Sequence, residues 1–174
     1  SSSFVMSRSW VRVPLEAHSH ILRVNPQQET NKKIQGPGMT VQIREVLFYK
    51  GCIYQIATEP LSQLLDIMGD ERPVLMAPHT ACWRGYTGTW QIKDNKLFLI
   101  DFKGYDKNHK KVGIDYIFPD QKKIFAGWYT GEIIIQTGRM LHYEHAGYMS
   151  VYEKDLFLKF EKGILVGSRE VNNR

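Results

Sequence analysis

The sequence predicts a mainly β (α+β) fold, an antiparallel meander forming a barrel or a sandwich with one short helix near residues 59–68. Three observations predict it: strand-like runs rich in β-branched and aromatic residues, turn signals at regular spacing, and one stretch in which the apolar period becomes helical. We expect a single β-rich domain over residues 39–174, long enough to bury a core without disulfides or a metal.

The first predicted elements are a hairpin and the helix. A strand ending at Lys50-Gly51 is expected to pair with Cys52–Ile56, which carries β-branched and aromatic side chains. Thr58 is the predicted N-cap of the helix, and Gly69 is the predicted stop. Between them, apolar residues recur at i, i+3, i+4 and i+7, namely Leu61, Leu64, Leu65 and Met68.

Three further strand pairs are predicted, each around a short turn. Their strands are 83–92 with 97–102, 124–135 with 140–143, and 156–160 with 164–166, and their turns are Lys93-Asp94-Asn95, Gln136-Thr137-Gly138 and Glu161-Lys162-Gly163. Such regular spacing favours a meander that closes on itself, with the helix packed on an open end or face. Residues 114–118 fit either a short helix or a strand.

The net charge of +5 is concentrated outside the predicted domain. Residues 1–38 contain five basic and two acidic residues, which leaves the rest of the chain nearly neutral. The densest basic cluster there is typical of a solvated loop; it consists of Lys103, Lys107, Lys110 and Lys111. Because nucleic-acid sites usually need more basic groups on one face, the composition argues against a nucleic-acid partner.

Targeting signals and cysteine usage predict a cytoplasmic protein. No apolar run approaches the ~18 residues that span a bilayer, and the N-terminal sequence lacks the basic and apolar regions of a signal peptide. A membrane partner is therefore not expected. Cys52 and Cys82 are expected to be free thiols, since a reducing compartment disfavours a disulfide.

Residues 1–38 are predicted to be a disordered or adventitious leader, because serine, proline and glycine punctuate them without a sustained period. The segment Val11-Arg12-Val13-Pro14 corresponds to codons that resemble the T-arm of a transfer-RNA gene, and Trp10 extends that match. The expected natural start is Met39. Since integrating elements often insert at transfer-RNA genes, this resemblance implies a mobile-element passenger gene.

Aromatic and glycine residues are densest in two segments, 83–90 and 125–132. Strand alternation places Arg84, Tyr86, Gly88 and Trp90 on one face. It places Ala126, Trp128, Thr130 and Glu132 on one face of the second segment. Two interpretations stay open: the glycines relieve barrel curvature beneath large rings, or the segments line a ligand or partner pocket. The candidate binding residues are Arg84, Tyr86, Trp90, Trp128, Tyr129 and Glu132.

Metal binding and catalysis are the weaker hypotheses. Two pairs of candidate zinc ligands occur, His79 with Cys82 and His142 with His145. Their i, i+3 spacing puts the members of each pair on opposite faces of a strand, which counts against one tetrahedral site. The sequence shows no paired carboxylates, nucleophile elbow or phosphate-binding glycine loop, so nothing in it favours catalysis.

Residues 49–169 resemble a type of small bacterial β-rich protein that implies no activity and no catalytic residue. Four motifs carry the resemblance: Arg-Gly-Tyr at 84–86, Gly-Thr-Trp-Gln-Ile at 88–92, Ala-Gly-Trp-Tyr-Thr-Gly-Glu-Ile at 126–133 and Gly-Tyr-Met-Ser-Val-Tyr-Glu at 147–153. We therefore expect a non-enzymatic binding module of an immunity-like or defence-associated kind, with a protein partner or a small ligand. The alternative is a small-ligand or zinc-dependent enzyme that uses His79, Cys82, His142 and His145.

Overall fold

The structure is a computed structural model, and it describes residues 40–174. The predicted leader, residues 1–38, and the predicted start at Met39 lie outside the described residues. Within residues 40–174, no helix is long and apolar enough to cross a membrane.

The described chain forms strands, one α-helix and two short 3₁₀ turns. The strands are β1 (Glu45–Tyr49), β2 (Cys52–Ile56), β3 (Tyr86–Lys93), β4 (Lys96–Tyr105), β5 (Lys111–Val112), β6 (Ile124–Phe125), β7 (Gly131–His142), β8 (Val151–Glu161) and β9 (Ile164–Asn172). The helix α1 spans Leu61–Met68, and the 3₁₀ turns span Gly69–Glu71 and Ile114–Tyr116. The second 3₁₀ turn answers the open question at residues 114–118 in favour of helix.

The strands close into a ring. Their order is β3-β1-β2-β7-β8-β9-β4, and β4 pairs back with β3. Two extensively paired groups of strands meet at two seams, each made by a single residue pair. Ile56 of β2 pairs with Ile135 of β7, and Lys96 of β4 pairs with Ile164 of β9. The predicted fold class is confirmed: the chain is mainly β, its strands are consistent with a barrel or a sandwich, and it has one short helix near residues 59–68. One pairing is not a meander pairing, because β1 and β3 run parallel.

That parallel pair results from the long connection between β2 and β3. Residues 57–85 leave β2, form α1 and return on the far side of β1, which a short hairpin turn cannot do. The apolar face of α1 enters the core; its buried residues are Leu61, Leu64, Leu65 and Met68. The predicted helix is therefore confirmed, and it joins one core with the inward residues of the strands.

The N-cap prediction for Thr58 is wrong. Pro60 occupies the cap position, and no side chain caps the helix there. Instead, the Thr58 hydroxyl accepts a hydrogen bond of 2.9 Å from the backbone N–H of Ile134, which helps to close the seam between β2 and β7. Gly69 ends α1 with a positive φ of 55°, as expected for a glycine stop.

Three of the predicted hairpins are confirmed, and their turns share one geometry. Both central residues have positive φ in each of them: Lys50 and Gly51, Asp94 and Asn95, and Lys162 and Gly163. This is the signature of a type I′ turn, whose twist matches that of the strands it connects. The third hairpin is longer than predicted, because β8 and β9 together run from residue 151 to residue 172.

The predicted strand at 124–135 is wrong. Only Ile124–Phe125 and the residues from Gly131 onward are strand, and residues 126–130 turn between them. Trp128 and Tyr129 are both buried, which two consecutive residues of a strand facing solvent on one side do not achieve. A turn lets both side chains point into the core. The Tyr129 N–H donates to the Ala126 carbonyl at 3.0 Å, and the Trp128 indole donates to the Pro60 carbonyl at 3.0 Å.

The predicted turn Gln136-Thr137-Gly138 is also wrong. These residues lie inside β7, which continues to His142 and pairs with β8 across a local irregularity. Gly138 has a positive φ of 81° and lies against the side chain of Glu153, where an added Cβ would approach Oε2 to 2.6 Å. The glycine therefore marks a bulge and a close approach within a strand, which gives the same sequence signal as a turn.

Candidate functional site

A glutamate lies in the interior of the ring. β1 directs Glu45, Leu47 and Tyr49 inward, because side chains alternate along a strand. Glu45 has 0% of its surface exposed. A buried carboxyl group needs hydrogen-bond partners, so its surroundings identify the residues that act with it.

The neighbouring strand β3 supplies the first partner. The indole Nε1 of Trp90 donates a hydrogen bond of 2.6 Å to Glu45 Oε2. Gly88, on the same face of β3, leaves room for both groups. A Cβ added at Gly88 would approach Trp90 Nε1 to 2.8 Å and Glu45 Oε2 to 3.0 Å. A side chain at position 88 is therefore incompatible with this hydrogen bond.

Arg84, which precedes β3, connects the buried carboxylate to the surface. Its Nε lies 3.3 Å from Glu45 Oε1, and its Nη2 donates to the Ile43 carbonyl at 2.9 Å. Its Nη1 lies 3.2 Å from the Tyr148 hydroxyl and 3.5 Å from Glu59 Oε1. The guanidinium thus bridges four segments: β1, the residues before it, the loop before α1, and the loop between β7 and β8.

Tyr148 completes this network. Its hydroxyl lies 2.9 Å from Glu59 Oε1 and 3.1 Å from the Ile43 carbonyl oxygen. Because the hydroxyl carries a single proton, it donates to one of these acceptors at a time while accepting from Arg84. We call Glu45, Glu59, Arg84, Trp90 and Tyr148 the Glu45 cluster.

The protonation of Glu45 is set by burial. The pKa of Glu45 is raised to about 7, chiefly because burial removes the carboxyl group from water, and the charge of Glu59 also contributes to the increase. Arg84 and the Trp90 hydrogen bond lower the pKa, but they do not offset burial. Burial acts in the opposite direction on Arg84, yet the nearby carboxylates and Tyr148 leave the pKa of Arg84 raised, so Arg84 stays charged.

Two further buried groups border the cluster. Tyr86 is buried, its ring stacks on Phe102, and its hydroxyl has no hydrogen-bond partner among the described residues. Burial raises the pKa of Tyr86, and the charges of Glu45 and Glu59 raise it further. The Cys82 thiol donates to the Tyr86 carbonyl at 3.4 Å, and burial raises the pKa of Cys82 as well. Cys52 and Cys82 are both free.

Gln42, together with the Glu45 cluster, holds three segments of irregular backbone in place. Residues 41–44 lie between the loop at 79–85 and the loop at 146–150. The N–H of Gln42 donates to the Gly147 carbonyl at 3.2 Å. The Gln42 side chain donates to the Thr80 carbonyl at 2.8 Å and accepts from the Trp83 N–H at 3.1 Å. Buried side-chain bonds therefore fix these loops in the absence of a continuous sheet.

Each of the three segments exposes one large apolar side chain. These are Ile43, Trp83, which is 41% exposed, and Met149, which is 67% exposed. We call these three residues the Trp83 surface. Farther along the end of β7 and the start of β8, the chain exposes further apolar residues, namely Met140, Leu141, Tyr143 and Val151. A concentration of exposed apolar side chains is a feature of interaction surfaces.

The predicted binding residues separate into two groups. Arg84, Tyr86 and Trp90 come together around Glu45. Tyr86 and Trp90 lie on one face of β3, as alternation predicts. The prediction that Arg84 shares this strand face is wrong, because Arg84 lies before β3 and Gly85, with a positive φ of 80°, separates it from the strand. Trp128 and Tyr129 lie in the core instead, and their role there is packing. Trp128 makes an edge contact with Trp90 and stacks on Phe118, at centroid distances of 6.4 Å and 5.9 Å.

Glu132 lies apart from the cluster. It is partly exposed on β7, and its Oε2 pairs with Arg169 of β9 at 3.2 Å. The prediction that Ala126, Trp128, Thr130 and Glu132 share one strand face is therefore wrong, because the turn at 126–130 interrupts that strand.

The four predicted zinc ligands do not form a centre. Among residues 40–174, no group of three or more His, Cys, Asp or Glu side chains is arranged to hold a metal ion. Cys82 is buried beside Tyr86, whereas His79 lies on an exposed loop. His142 pairs with Glu144 at 2.7 Å, and His145 packs against Tyr143. Neither pair lies on one strand: His79 and Cys82 lie in a turn in which the Cys82 N–H donates to the His79 carbonyl at 3.1 Å, and His145 lies in the loop that follows β7.

Sequence reasoning missed Glu45, Glu59 and Tyr148. The signal for Glu45 was its position two residues before Leu47, which places it on the buried face of β1. No comparable signal existed for Glu59 or Tyr148, because both lie in loops whose approach depends on the tertiary fold.

Comparisons of the chain with protein-family models, with curated proteins and with solved structures found no match.

Proposed function

We propose that this chain is a non-enzymatic binding module that docks a protein partner on the Trp83 surface. The observation that carries the proposal is the combination of three exposed apolar side chains with a buried polar cluster that fixes the segments bearing them. Fixed loops lose little conformational entropy on binding, which favours affinity. Tryptophan is among the residues most often found at interface hot spots, and methionine adapts its shape to a partner.

The burial of Glu45 supports binding rather than catalysis. A carboxyl group with a pKa near 7 is typical of acid–base catalysts, but such a group must reach its substrate within hydrogen-bond distance. Glu45 has no exposed surface, and its carboxylate oxygens already contact Arg84 and Trp90. Its role is to position Arg84, which in turn holds the carbonyl of Ile43 and the hydroxyl of Tyr148.

The proposal also concerns the type of gene that encodes the chain and the type of partner that it binds. The codons implied by Val11-Arg12-Val13-Pro14 resemble a transfer-RNA gene, which favours a mobile-element gene. We therefore propose a cytoplasmic, immunity-like or defence-associated module. The partner is a protein with an apolar concave site that accepts an indole and a thioether.

Co-purification from the native host tests this function. The full chain carries an affinity tag at its C-terminus, and recovered proteins are quantified by mass spectrometry. The test variant combines Trp83→Ala with Met149→Ala. The control is Val166→Ala on β9, which also truncates an exposed apolar side chain. Thermal unfolding of each purified variant verifies that the fold is retained.

We expect one protein to be recovered near equimolar amounts with the natural chain and the control, and to fall at least about tenfold with the double variant, as hot-spot truncation predicts. Equal recovery with all three chains would remove the Trp83 surface from the proposal. If only the chain itself is recovered, light scattering tests for self-association. Self-association that the double variant abolishes would show that the partner is a second copy of this chain and not a different protein.

A further inference from the structure

A row of large side chains crosses the outer face of the sheet. Residues directly opposite one another on five adjacent strands form it. Ile53 of β2 faces Phe48 of β1, which faces Gln91 of β3; Gln91 faces Phe98 of β4, which faces Phe125 of β6. We call these five residues the phenylalanine row. Four strand intervals of roughly 4.8 Å give it a length of about 19 Å.

The row is open to solvent. Phe48, Ile53 and Phe125 are exposed, and Phe125 has 40% of its surface accessible. The rings of Phe98 and Phe125 contact each other at a centroid distance of 5.9 Å. Phe98 is only partly exposed, so the exposed rings of Phe48 and Phe125 are those on which an incoming planar group can stack.

Lysines surround one half of the row. Lys123 Nζ lies 4.3 Å from the Phe98 ring centroid and donates to Gln91 Oε1 at 2.9 Å. Lys96 Nζ lies 6.0 Å from the centroid of the Phe125 ring. Lys93 is directly opposite Lys96 at the end of the hairpin of β3 and β4. The ion pairs within residues 40–174 include none of these three lysines.

The opposed lysines point to an anionic ligand. Like charges directly across a strand pair destabilise a sheet, so Lys93 and Lys96 impose an electrostatic cost that an anion relieves. Asp101 also lies on the outer face, opposite Thr89, and it reduces the positive potential beyond Phe98. The basic end of the row is therefore the end formed by Phe98, Phe125 and the three lysines.

We propose that the phenylalanine row binds single-stranded nucleic acid. The composition of the chain argues against a nucleic-acid partner, but stacking on exposed rings supplies binding that needs fewer basic groups. Planar bases stack on exposed aromatic rings of a sheet, and the flanking lysines bind the phosphates between them. A length of about 19 Å accommodates a few extended nucleotides. This arrangement differs from the basic loop at 103–111, which carries four lysines without an exposed phenylalanine beside them.

Fluorescence anisotropy with defined probes tests the proposal. The probes are labelled 15-nucleotide single strands of RNA and DNA with mixed sequence, and the corresponding DNA duplex. The full chain is titrated at 50 mM and at 200 mM salt. Three lysine contacts predict a salt slope of about −2 for single strands, which corresponds to a loss of affinity of roughly twentyfold between these concentrations.

Two variants act on the row, and one matched control acts elsewhere. Phe125→Ala is expected to weaken single-strand binding about tenfold through lost stacking. The triple variant Lys93→Gln, Lys96→Gln, Lys123→Gln is expected to remove most of the salt dependence. The control makes the same change of charge in the loop of β4 and β5, with Lys107→Gln, Lys110→Gln and Lys111→Gln, and it keeps the affinity within about twofold.

Three outcomes would overturn the proposal. Equal losses in the two lysine triples would assign binding to overall charge, including that of residues 1–38. Tighter binding of the duplex would exclude stacking of bases. No anisotropy change with any probe, together with a protein cross-linked to a photoreactive residue at position 48, would make the row a protein interface. The double variant of the Trp83 surface retains nucleic-acid affinity, so the two proposals fail separately.

Discussion

Trp90 donates its indole N–H to Glu45 at 2.6 Å inside a closed ring of strands, and this hydrogen bond links the parallel pair of β1 and β3 to the surface loops. Glu45 in turn faces Arg84, which holds the Ile43 carbonyl and the Tyr148 hydroxyl. The chain thus uses a buried carboxyl group to organise irregular segments that lie outside the named strands.

Replacement of Glu45 by glutamine is expected to change the pH dependence of stability. The pKa of Glu45 rises from 4.5 to about 7 on folding, so the folded state binds a proton that the unfolded state releases between these values. Stability of the natural chain therefore falls as pH rises from 4.5 to 7. The shift corresponds to about 3 kcal/mol. Glutamine does not titrate, so Glu45→Gln lacks this decline.

Urea unfolding between pH 4 and pH 8 measures this difference. The free energy of unfolding of Glu45→Gln, relative to the natural chain, is expected to increase by about 3 kcal/mol across the range. Glu170→Gln on β9 is the control, because that carboxylate is half exposed and its relative stability stays nearly constant. A constant difference for Glu45→Gln would contradict a raised pKa.

Alanine at position 88 is expected to destabilise the fold. The added Cβ would lie 2.8 Å from Trp90 Nε1, so either the indole or the Glu45 carboxylate must move. Overpacking of this kind typically costs 1–3 kcal/mol, and loss of the buried hydrogen bond adds to it. Gly167→Ala is the control, since a Cβ on that strand residue meets nothing within 4 Å. Thermal unfolding compares the melting temperatures of the two variants. An equal decrease in both would contradict the close approach at Gly88.

Removal of the Tyr86 hydroxyl is expected to leave stability unchanged or to increase it by up to about 1 kcal/mol. That hydroxyl is buried without a partner among the described residues, so Tyr86→Phe removes a desolvated polar group and no hydrogen bond. Tyr129→Phe is the control: its hydroxyl donates to the Glu132 carbonyl at 2.9 Å, and its loss costs about 1 kcal/mol. Denaturant unfolding compares the two. A loss of more than 1 kcal/mol in Tyr86→Phe would reveal a partner at this hydroxyl.

Local sequence signals predicted the hairpins and the helix because their causes are local. Turns such as Asp94-Asn95 need residues that tolerate positive φ, and Leu61, Leu64 and Leu65 repeat at the period of a helix. The same signals failed at Gly138, where positive φ serves a bulge inside β7 rather than a turn. Local composition does not distinguish these two uses of glycine.

The candidate site depends on contacts between distant parts of the chain. Tyr86 and Trp90 were predictable as one face of a strand, whereas Arg84 reaches the site from the turn before β3. The buried partner, Glu45, comes from β1, and its position beside β3 follows from the parallel pairing that residues 57–85 create. Tyr148 reaches Arg84 from a loop 64 residues later in the chain. Such approaches follow from topology, which the alternation of apolar residues does not specify.

The most direct test of the proposed function is site-specific photo-cross-linking in the native host. A photoreactive phenylalanine analogue replaces Trp83 in the full chain, and a second chain carries it at Val166 as the control. We predict that position 83 yields one dominant cross-linked protein, that position 166 does not, and that excess natural chain competes for the product. The same cross-links at both positions, or none at position 83 while position 166 reacts, would contradict docking on the Trp83 surface.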